Sequence, residues 1–190
     1  MRRRSVHAAF ALLATLAAAA TVAQGLRLGQ ALRLEEAVRR AAQAPVGADA
    51  APADPALPRE ARLARALALA QAGAYEAAFK SYGSLLPTGG PPDPLAQQAL
   101  FNLGNLVLRQ GLAQSAAGPA GGDPLPLLEL AKQRYRDLLR AAPDHWDARY
   151  NLERALRLAP EEAPLAADGP EGPVERRQVL LRGMAAGDLP

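Results

Sequence analysis

Residues 127–160 constrain the fold most, because they contain two amphipathic helical patterns separated by a proline turn. The first pattern places apolar residues at spacings of three and four, on one side of a helix: Leu128, Ala131, Tyr135, Leu138 and Leu139. Ala142-Pro143-Asp144 ends this helix, and Asp144 is the expected N-cap of the next one. The second pattern predicts an apolar face of Trp146, Tyr150, Leu152, Ala155 and Leu156. Two such helices cannot bury both faces alone, so a neighbouring pair is expected.

Two related units precede this stretch. Residues 100–106, Leu-Phe-Asn-Leu-Gly-Asn-Leu, repeat the order of aromatic, Asn and Leu found at 149–155. A further pair is predicted between residues 59 and 87, where Gly73 separates two helical patterns. The chain resembles the tetratricopeptide repeat, with Leu103-Gly104 at the helix A pair and with helix B residues at Ala131, Tyr135, Leu138 and Pro143. We therefore expect an all-α fold of about two and a half tetratricopeptide-like helical hairpins after an N-terminal transmembrane helix.

The N-terminal segment has the sequence pattern of a membrane-spanning helix. Three arginines at residues 2–4 precede an apolar run over residues 6–23, close to the ~20 residues that a bilayer span needs. Arginines before the span favour a cytoplasmic N-terminus. A cleavable signal peptide fits the same run. An anchor is favoured because Leu26, Leu28, Leu32, Leu34 and Val38 continue the helical register. Residues 1–40 are thus predicted as an anchor and juxtamembrane helix.

Composition sets the remaining boundaries. Residues 41–58 are rich in Ala and Pro and show no hydrophobic periodicity. This composition predicts a flexible tether that lets the helical domain stand away from the membrane. The helical domain is expected at 59–160, with an insert at 110–126 that is either a disordered excursion or a functional loop. Residues 161–190 are predicted to form a disordered tail. Within it, 174–184 is either a docking segment or a marginal helix.

The residue inventory argues against an enzyme. The chain has no cysteine and only two histidines, His7 and His145. It therefore lacks a cysteine nucleophile, and these residues cannot form a histidine-rich set of metal ligands or a catalytic triad. The prediction is therefore no catalytic residue, no cofactor and no metal. Asp54, Asp93 and Asp123 each precede a proline, which marks them as turn or capping residues rather than calcium ligands.

The charge distribution argues against a nucleic-acid partner. The formal net charge is +3, but residues 1–50 hold seven arginines against three acidic residues, so the excess of positive charge lies beside the membrane segment. The remaining residues, 51–190, hold 15 basic and 16 acidic residues, and the helical domain lacks a basic face interleaved with aromatic residues.

The candidate site is a surface. In tetratricopeptide proteins the concave face is lined mainly by helix A residues, and the resemblance assigns eight of them here as a partner-binding set. Asn can bond a peptide backbone through both ends of its amide, and Arg can bind a carboxylate at two points. In the alternative interpretation, Asn102 and Asn151 only support helix packing. The predicted set is Phe101, Asn102, Asn105, Arg109, Tyr150, Asn151, Arg154 and Arg157.

A more specific resemblance covers residues 63–161. FNLGNLVLRQG, then a Pro/Gly-rich insert, then PLLELAKQRYRDLLRAAPDHWDARYNLERALRLAPE resembles the MxaK family, accessory proteins of bacterial methanol oxidation. The resemblance implies a non-enzymatic adaptor, held in the inner membrane by a single pass with its soluble domain in the periplasm. Its task would be the maturation of methanol dehydrogenase, at calcium insertion.

The same resemblance implies protein partners. They are methanol dehydrogenase, membrane proteins with von Willebrand A domains and a MoxR-type ATPase system. Two alternatives remain open: a permanent structural subunit of a membrane complex of that type, or a general repeat adaptor unrelated to methanol oxidation.

Overall fold

Six α-helices and one 3₁₀ helix form the computed structural model, which describes residues 2–47 and 50–161. The helices are α1 (Arg2–Gln43), α2 (Arg59–Gln71), α3 (Tyr75–Gly83), α4 (Pro94–Ala116), α5 (Leu125–Ala141) and α6 (Trp146–Leu158), with the 3₁₀ helix at Gly118–Gly121. These two ranges contain no strand, so the all-α prediction is confirmed for them. Of the predicted tail, all but Glu161 lies outside the described residues, including the stretch 174–184.

Helix α1 is long and apolar enough to cross a membrane. Within Leu12–Gln43, the most apolar 18-residue window has a mean hydropathy of 1.3 and contains no buried residue. The helix runs unbroken to Gln43, as the continued leucine register predicts. At 1.5 Å per residue its 42 residues extend about 63 Å, roughly twice the ~30 Å of a hydrocarbon core. The remainder reaches the helical domain.

The described part of the connection from α1 to α2, where a flexible tether is predicted, is hydrogen-bonded to α2 and α3. Arg65 of α2 donates to the carbonyls of Ala44 and Pro45. These carbonyls follow the end of α1, where the helix supplies no backbone donor for them. Further on, the buried Ala53 N–H donates to Ser81 Oγ at 2.8 Å. These bonds join residues 20 to 28 positions apart. The described part of the connection therefore holds α1 against α2 and α3.

Helices α2 to α6 form two cores that share α4. The first lies between α2, α3 and α4 and includes Leu69, Tyr82 and Leu103. The second lies between α4, α5 and α6 and includes Val107, Tyr135, Leu138 and Ala155. Helix α4 contacts α2 and α6 as well as its chain neighbours α3 and α5. It is therefore the central element of the domain.

Two glycines on α4 set its distance from α5. A Cβ built on Gly104 would lie 2.7 Å from Cε1 of Tyr135, and one on Gly111 would lie 3.1 Å from Cδ2 of Leu128. The two glycines are seven residues apart and so lie on one face of the helix. Gly104 was expected from the repeat pattern, whereas Gly111 fell at the start of the predicted insert.

The predicted insert at 110–126 is largely helical in the structure. Helix α4 continues through Ala116, and Leu112 packs on the second core. The chain then turns through the 3₁₀ helix, where Gly121 lies so close to α4 that a Cβ would meet the carbonyl oxygen of Gln114. The Gly/Pro-rich composition thus serves a tight turn between α4 and α5.

Only part of the predicted apolar face of α6 is buried. Trp146 and Tyr150, predicted on its apolar face, are 73% and 68% exposed, while Ala148 and Ala155 are fully buried. Leu152 and Leu156, also predicted on this face, are half-buried. The predicted N-cap was also wrong: the cap is His145, whose Nδ1 accepts from Ala148 N–H at 3.2 Å. Asp144 is fully exposed, 4.0 Å from Arg149.

A buried lysine fastens the end of α6 to α5. Lys132 has no exposed surface, and its Nζ donates to the carbonyl of Ala159 at 2.9 Å while it pairs with Glu129. A buried ammonium needs such partners, since an unpaired charge in the core is costly. The helical spacing already places Lys132 on the buried face of α5, because it lies four residues after Leu128 and three before Tyr135.

An ion pair joins the first helix pair to the second. Arg59, at the start of α2, bonds both carboxylate oxygens of Asp93 and also donates to the carbonyl of Leu85 at 3.2 Å. Asp93 is the N-cap of α4, as predicted, and accepts from Ala96 N–H at 2.8 Å. The hydrogen bond from Arg59 and that from Ala96 lower the pKa of the Asp93 carboxyl.

The contact between Gly104 and Tyr135 can be tested with one methyl group. We expect Gly104→Ala to reduce the free energy of unfolding by about 1 to 3 kcal/mol, because the ring beneath it is buried and cannot retreat. Gly83→Ala is the matched control, since a Cβ there meets nothing within 4 Å. Chemical denaturation of both variants measures the difference, and equal stabilities would contradict the close approach of α4 and α5.

The ion pair at Asp93 predicts a dependence of stability on acid. A carboxyl whose folded-state pKa is lowered stabilises the fold above its unfolded-state pKa, about 4, and this stabilisation disappears as pH falls through the folded-state pKa. Asp93→Asn, which keeps a capping side chain, should therefore lose less of its melting temperature on acidification than the unchanged protein. Asp54→Asn, at a turn, is the control and should follow the unchanged protein; the same slope for all three would refute the prediction.

Candidate partner-binding surface

The predicted set of eight residues lies on α4 and α6, and the structure brings part of it together. Phe101, Asn105 and Arg109 follow one another at intervals of four along α4. Asn102 lies beside this row. Helix α6, which contacts α4 directly, carries the other four: Tyr150, Asn151, Arg154 and Arg157.

Asn105 is the centre of a hydrogen-bond network that joins three helices. Its Oδ1 accepts from the Tyr135 hydroxyl of α5 at 2.8 Å and from Asn151 Nδ2 of α6 at 2.9 Å. Tyr135 is completely buried, so its hydroxyl needs this acceptor. We call these three residues, Asn105, Tyr135 and Asn151, the amide hub.

Two arginines act electrostatically on the amide hub. Burial raises the pKa of the Tyr135 phenol, and the positive charges of Arg109 and Arg154 work in the opposite direction. Both guanidinium groups are therefore within electrostatic range of the hub. Arg109 also acts on Tyr82, whose pKa is raised by burial to about 12. One arginine comes from α4 and the other from α6, so they approach the hub from two helices.

These two arginines are exposed and carry no ion pair with any carboxylate in the described ranges. Arg157 differs, because it bonds Glu153 one turn earlier on α6. The surface above the hub therefore presents two positive charges that the described part of the protein leaves uncompensated. A carboxylate is the group that such charges bind best, through charge-assisted hydrogen bonds.

Phe101 is not part of an open face. Its ring is half-buried, with its centroid 4.8 Å from that of His145 and 6.4 Å from that of Tyr135. It covers the turn between α5 and α6. Asn102 is half-exposed and forms no side-chain hydrogen bond within 2–47 and 50–161.

Tyr150 is open to solvent, one turn after the equally exposed Trp146. The guanidinium of Arg149 stacks 5.0 Å from the centre of the Trp146 ring. Tyr, Trp and Arg are the residues that contribute most often to protein–protein binding energy. The aromatic residues that were expected to pack inside are thus available on the surface of α6.

The aspartates that precede prolines act as predicted. Asp54 Oδ1 accepts from Ala56 N–H at 2.8 Å and Asp123 Oδ1 accepts from Leu125 N–H at 3.0 Å, both as turn residues. Asp93 is the N-cap described above. Among the residues that the structure describes, no three side chains of His, Cys, Asp or Glu are grouped to hold a metal ion.

Comparison with known proteins adds no relative: the chain matches no family model, no curated protein and no solved structure.

The amide hub predicts unequal effects for two neighbouring asparagines. Asn105→Ala leaves the buried Tyr135 hydroxyl and the Asn151 amide without their acceptor, which should cost about 1 to 3 kcal/mol of stability. Asn102→Ala removes no described hydrogen bond and should stay within about 0.5 kcal/mol of the unchanged protein. Thermal or denaturant unfolding distinguishes them. If both variants are equally stable, the hub does not join the helices.

Proposed function

We propose that the protein is a non-enzymatic, membrane-anchored adaptor whose α4/α6 surface binds an acidic segment of a partner protein. The observation that carries this proposal is the pair Arg109 and Arg154, exposed above the amide hub and without a carboxylate in the described residues. The apolar α1 supports attachment to a membrane. By the same proposal the anchor is a single pass in the inner membrane, and the domain lies in the periplasm.

A tetratricopeptide-like arrangement is part of the proposal. Helices α2, α4 and α6 would be helix A, and α3 and α5 would be helix B. The direct contacts of α4 with both α2 and α6, and the contact of Gly104 with Tyr135, support this assignment. It places Asn105, Arg109 and Arg154 along the inner, concave face. Such a face suits an extended peptide, whose backbone the asparagine amides can bond.

The proposed client is methanol dehydrogenase during maturation, at the stage of calcium insertion. This part rests on the resemblance of residues 63–161 to the MxaK family. The von Willebrand A membrane proteins and the MoxR-type ATPase system are proposed as further partners on the same basis.

One observation favours a rival function. The bond between Asn105 and Asn151 uses two of the predicted binding residues inside the protein, as a purely structural role would require. In that case the protein is a permanent subunit of a membrane complex of the von Willebrand A and MoxR type. A fixed complex that co-purifies at constant stoichiometry would support this rival, and so would the absence of affinity for isolated peptides.

Peptide binding separates the adaptor from the rival. The protein, purified in detergent, is titrated with acidic peptides and with peptides that cover the methanol dehydrogenase sequence. Arg109→Ala combined with Arg154→Ala should weaken binding at least about tenfold, because two charge-assisted contacts are lost. Lys80→Ala, which removes one exposed positive charge from α3, should bind unchanged. Equal affinities for all variants would show that the two arginines do not take part in peptide binding.

The methanol dehydrogenase proposal is tested in cells. Deletion of the gene should give an inactive, calcium-poor dehydrogenase that excess calcium rescues, and the double arginine variant should fail to complement. A normal enzyme in the deletion strain would reject the dehydrogenase as client and leave the peptide-binding result standing by itself.

A further inference from the structure

The exposed side of α6 carries a row of side chains spaced four residues apart. This α6 row consists of Trp146, Tyr150, Arg154 and Leu158, which lie along one ridge of the helix. All four are exposed, and the two aromatic residues are 73% and 68% exposed. Within the described part of the chain, helices α2 to α6 expose six large apolar side chains, and three of them belong to this row.

The Trp146 ring is held in position by a neighbour. The guanidinium of Arg149 lies 5.0 Å from its centre, and a cation at this distance is attracted to the face of an indole. A side chain that is already ordered loses little conformational entropy when a partner binds it. Two adjacent exposed aromatic residues, one of them ordered in this way, are typical of an interaction surface.

The charge along α6 changes sign from one end to the other. Residues 144–149 hold two carboxylates and one guanidinium, whereas residues 150–158 hold one carboxylate and two guanidinium groups. The carboxylate of the second range, Glu153, bonds Arg157 and leaves Arg154 available. A carboxylate of a partner is therefore attracted to the Arg154 end of the α6 row and repelled from the Trp146 end. The Trp146 end suits uncharged, apolar groups.

The spacing of the α6 row matches that of an extended peptide. Residues four apart on an α-helix are separated by about 6.0 Å along its axis. In an extended peptide every second side chain points the same way, and two residues cover about 6.6 Å. From Trp146 to Arg154 the two spacings therefore differ by only about 1 Å. Successive members of the row can contact alternate side chains of one extended segment.

We propose that the partner segment is extended and has the pattern apolar, any residue, apolar, any residue, acidic. Its carboxylate binds Arg154, and its two apolar side chains pack on Tyr150 and Trp146. This inference rests on the proposed function, in which Arg109 and Arg154 bind an acidic segment. It adds the apolar part of that segment and the spacing between the apolar and acidic residues.

Three peptides distinguish this spacing from the effect of charge alone. The matched peptide, Leu-Ser-Leu-Ser-Glu-Ser-Glu-Ser-Glu, has both leucines an even number of residues from every glutamate. The shifted peptide, Ser-Leu-Ser-Leu-Glu-Ser-Glu-Ser-Glu, has the same composition and only odd spacings. The reference peptide is the matched peptide with serine in place of both leucines. Each is titrated, in this order of residues and in the reverse order, into the full chain in lipid nanodiscs.

We expect the matched peptide to bind at least about tenfold more tightly than the reference in one of the two orders, because both leucines lose contact with water. The shifted peptide should bind within about threefold of the reference. Trp146→Ala combined with Tyr150→Ala should reduce the matched peptide to the affinity of the reference. Tyr75→Ala, at a 38% exposed tyrosine of α3, is the control and should keep the full affinity. Circular dichroism checks that each variant keeps its helices.

The possible results separate this inference from the proposed function. Equal affinities for the matched and shifted peptides in both orders would overturn the inference. The proposed function would still stand if Arg109→Ala with Arg154→Ala weakened the binding of all three peptides. Absence of binding by every peptide would overturn both.

A membrane contact of the α6 row is tested in the same samples. Trp146 is the single tryptophan, so quenching of its fluorescence by acrylamide reports the access of solvent to this row. We expect acrylamide to quench it fully before any peptide is added and less after the matched peptide binds. An indole that acrylamide does not reach in the absence of peptide would assign the row to the lipid surface and overturn the proposal.

Discussion

The packing of the Tyr135 ring beneath Gly104 determines how α4, α5 and α6 are arranged. With no side chain at Gly104, the ring lies directly against α4, in a position where even one Cβ would overlap it. The hydroxyl at the far end of that ring then reaches Asn105, one residue further along α4, and Asn105 in turn holds Asn151 of α6. A steric fit between two helices thus fixes the polar network on which the candidate surface is built.

The elements that the sequence predicts well are those governed by neighbours three or four residues away. Leu128, Ala131, Tyr135 and Leu138 recur at helical spacing and are all buried. The cap at Asp93 is equally local, since one carboxylate and the following proline define it. Gly104 was recognised because a repeat pattern marks its position. In each case the physical cause lies within one or two turns of the residue concerned.

The errors arise where size or distant partners decide the outcome. On α6 the pattern favoured Trp146 and Tyr150 as core residues because they are large and apolar, yet both are exposed, and the fully buried residues are Ala148 and Ala155. The connection after α1 lacks periodicity, but Arg65 and Ser81 hold it through bonds to residues more than nineteen positions away. Composition does not encode such partners. The bond from Lys132 to the carbonyl of Ala159 likewise depends on a residue 27 positions away.

The structural role of the amide hub is compatible with the proposed binding role because each asparagine has more hydrogen-bonding groups than the hub uses. Asn105 Oδ1 accepts two bonds, which fills its lone pairs, while its Nδ2 donates none within the described residues. Asn151 donates through Nδ2 and keeps its Oδ1 for another donor. The network therefore fixes both side chains by one end and leaves a donor and an acceptor at the other. A partner that binds there meets groups whose conformational entropy is already reduced, which lowers the cost of association.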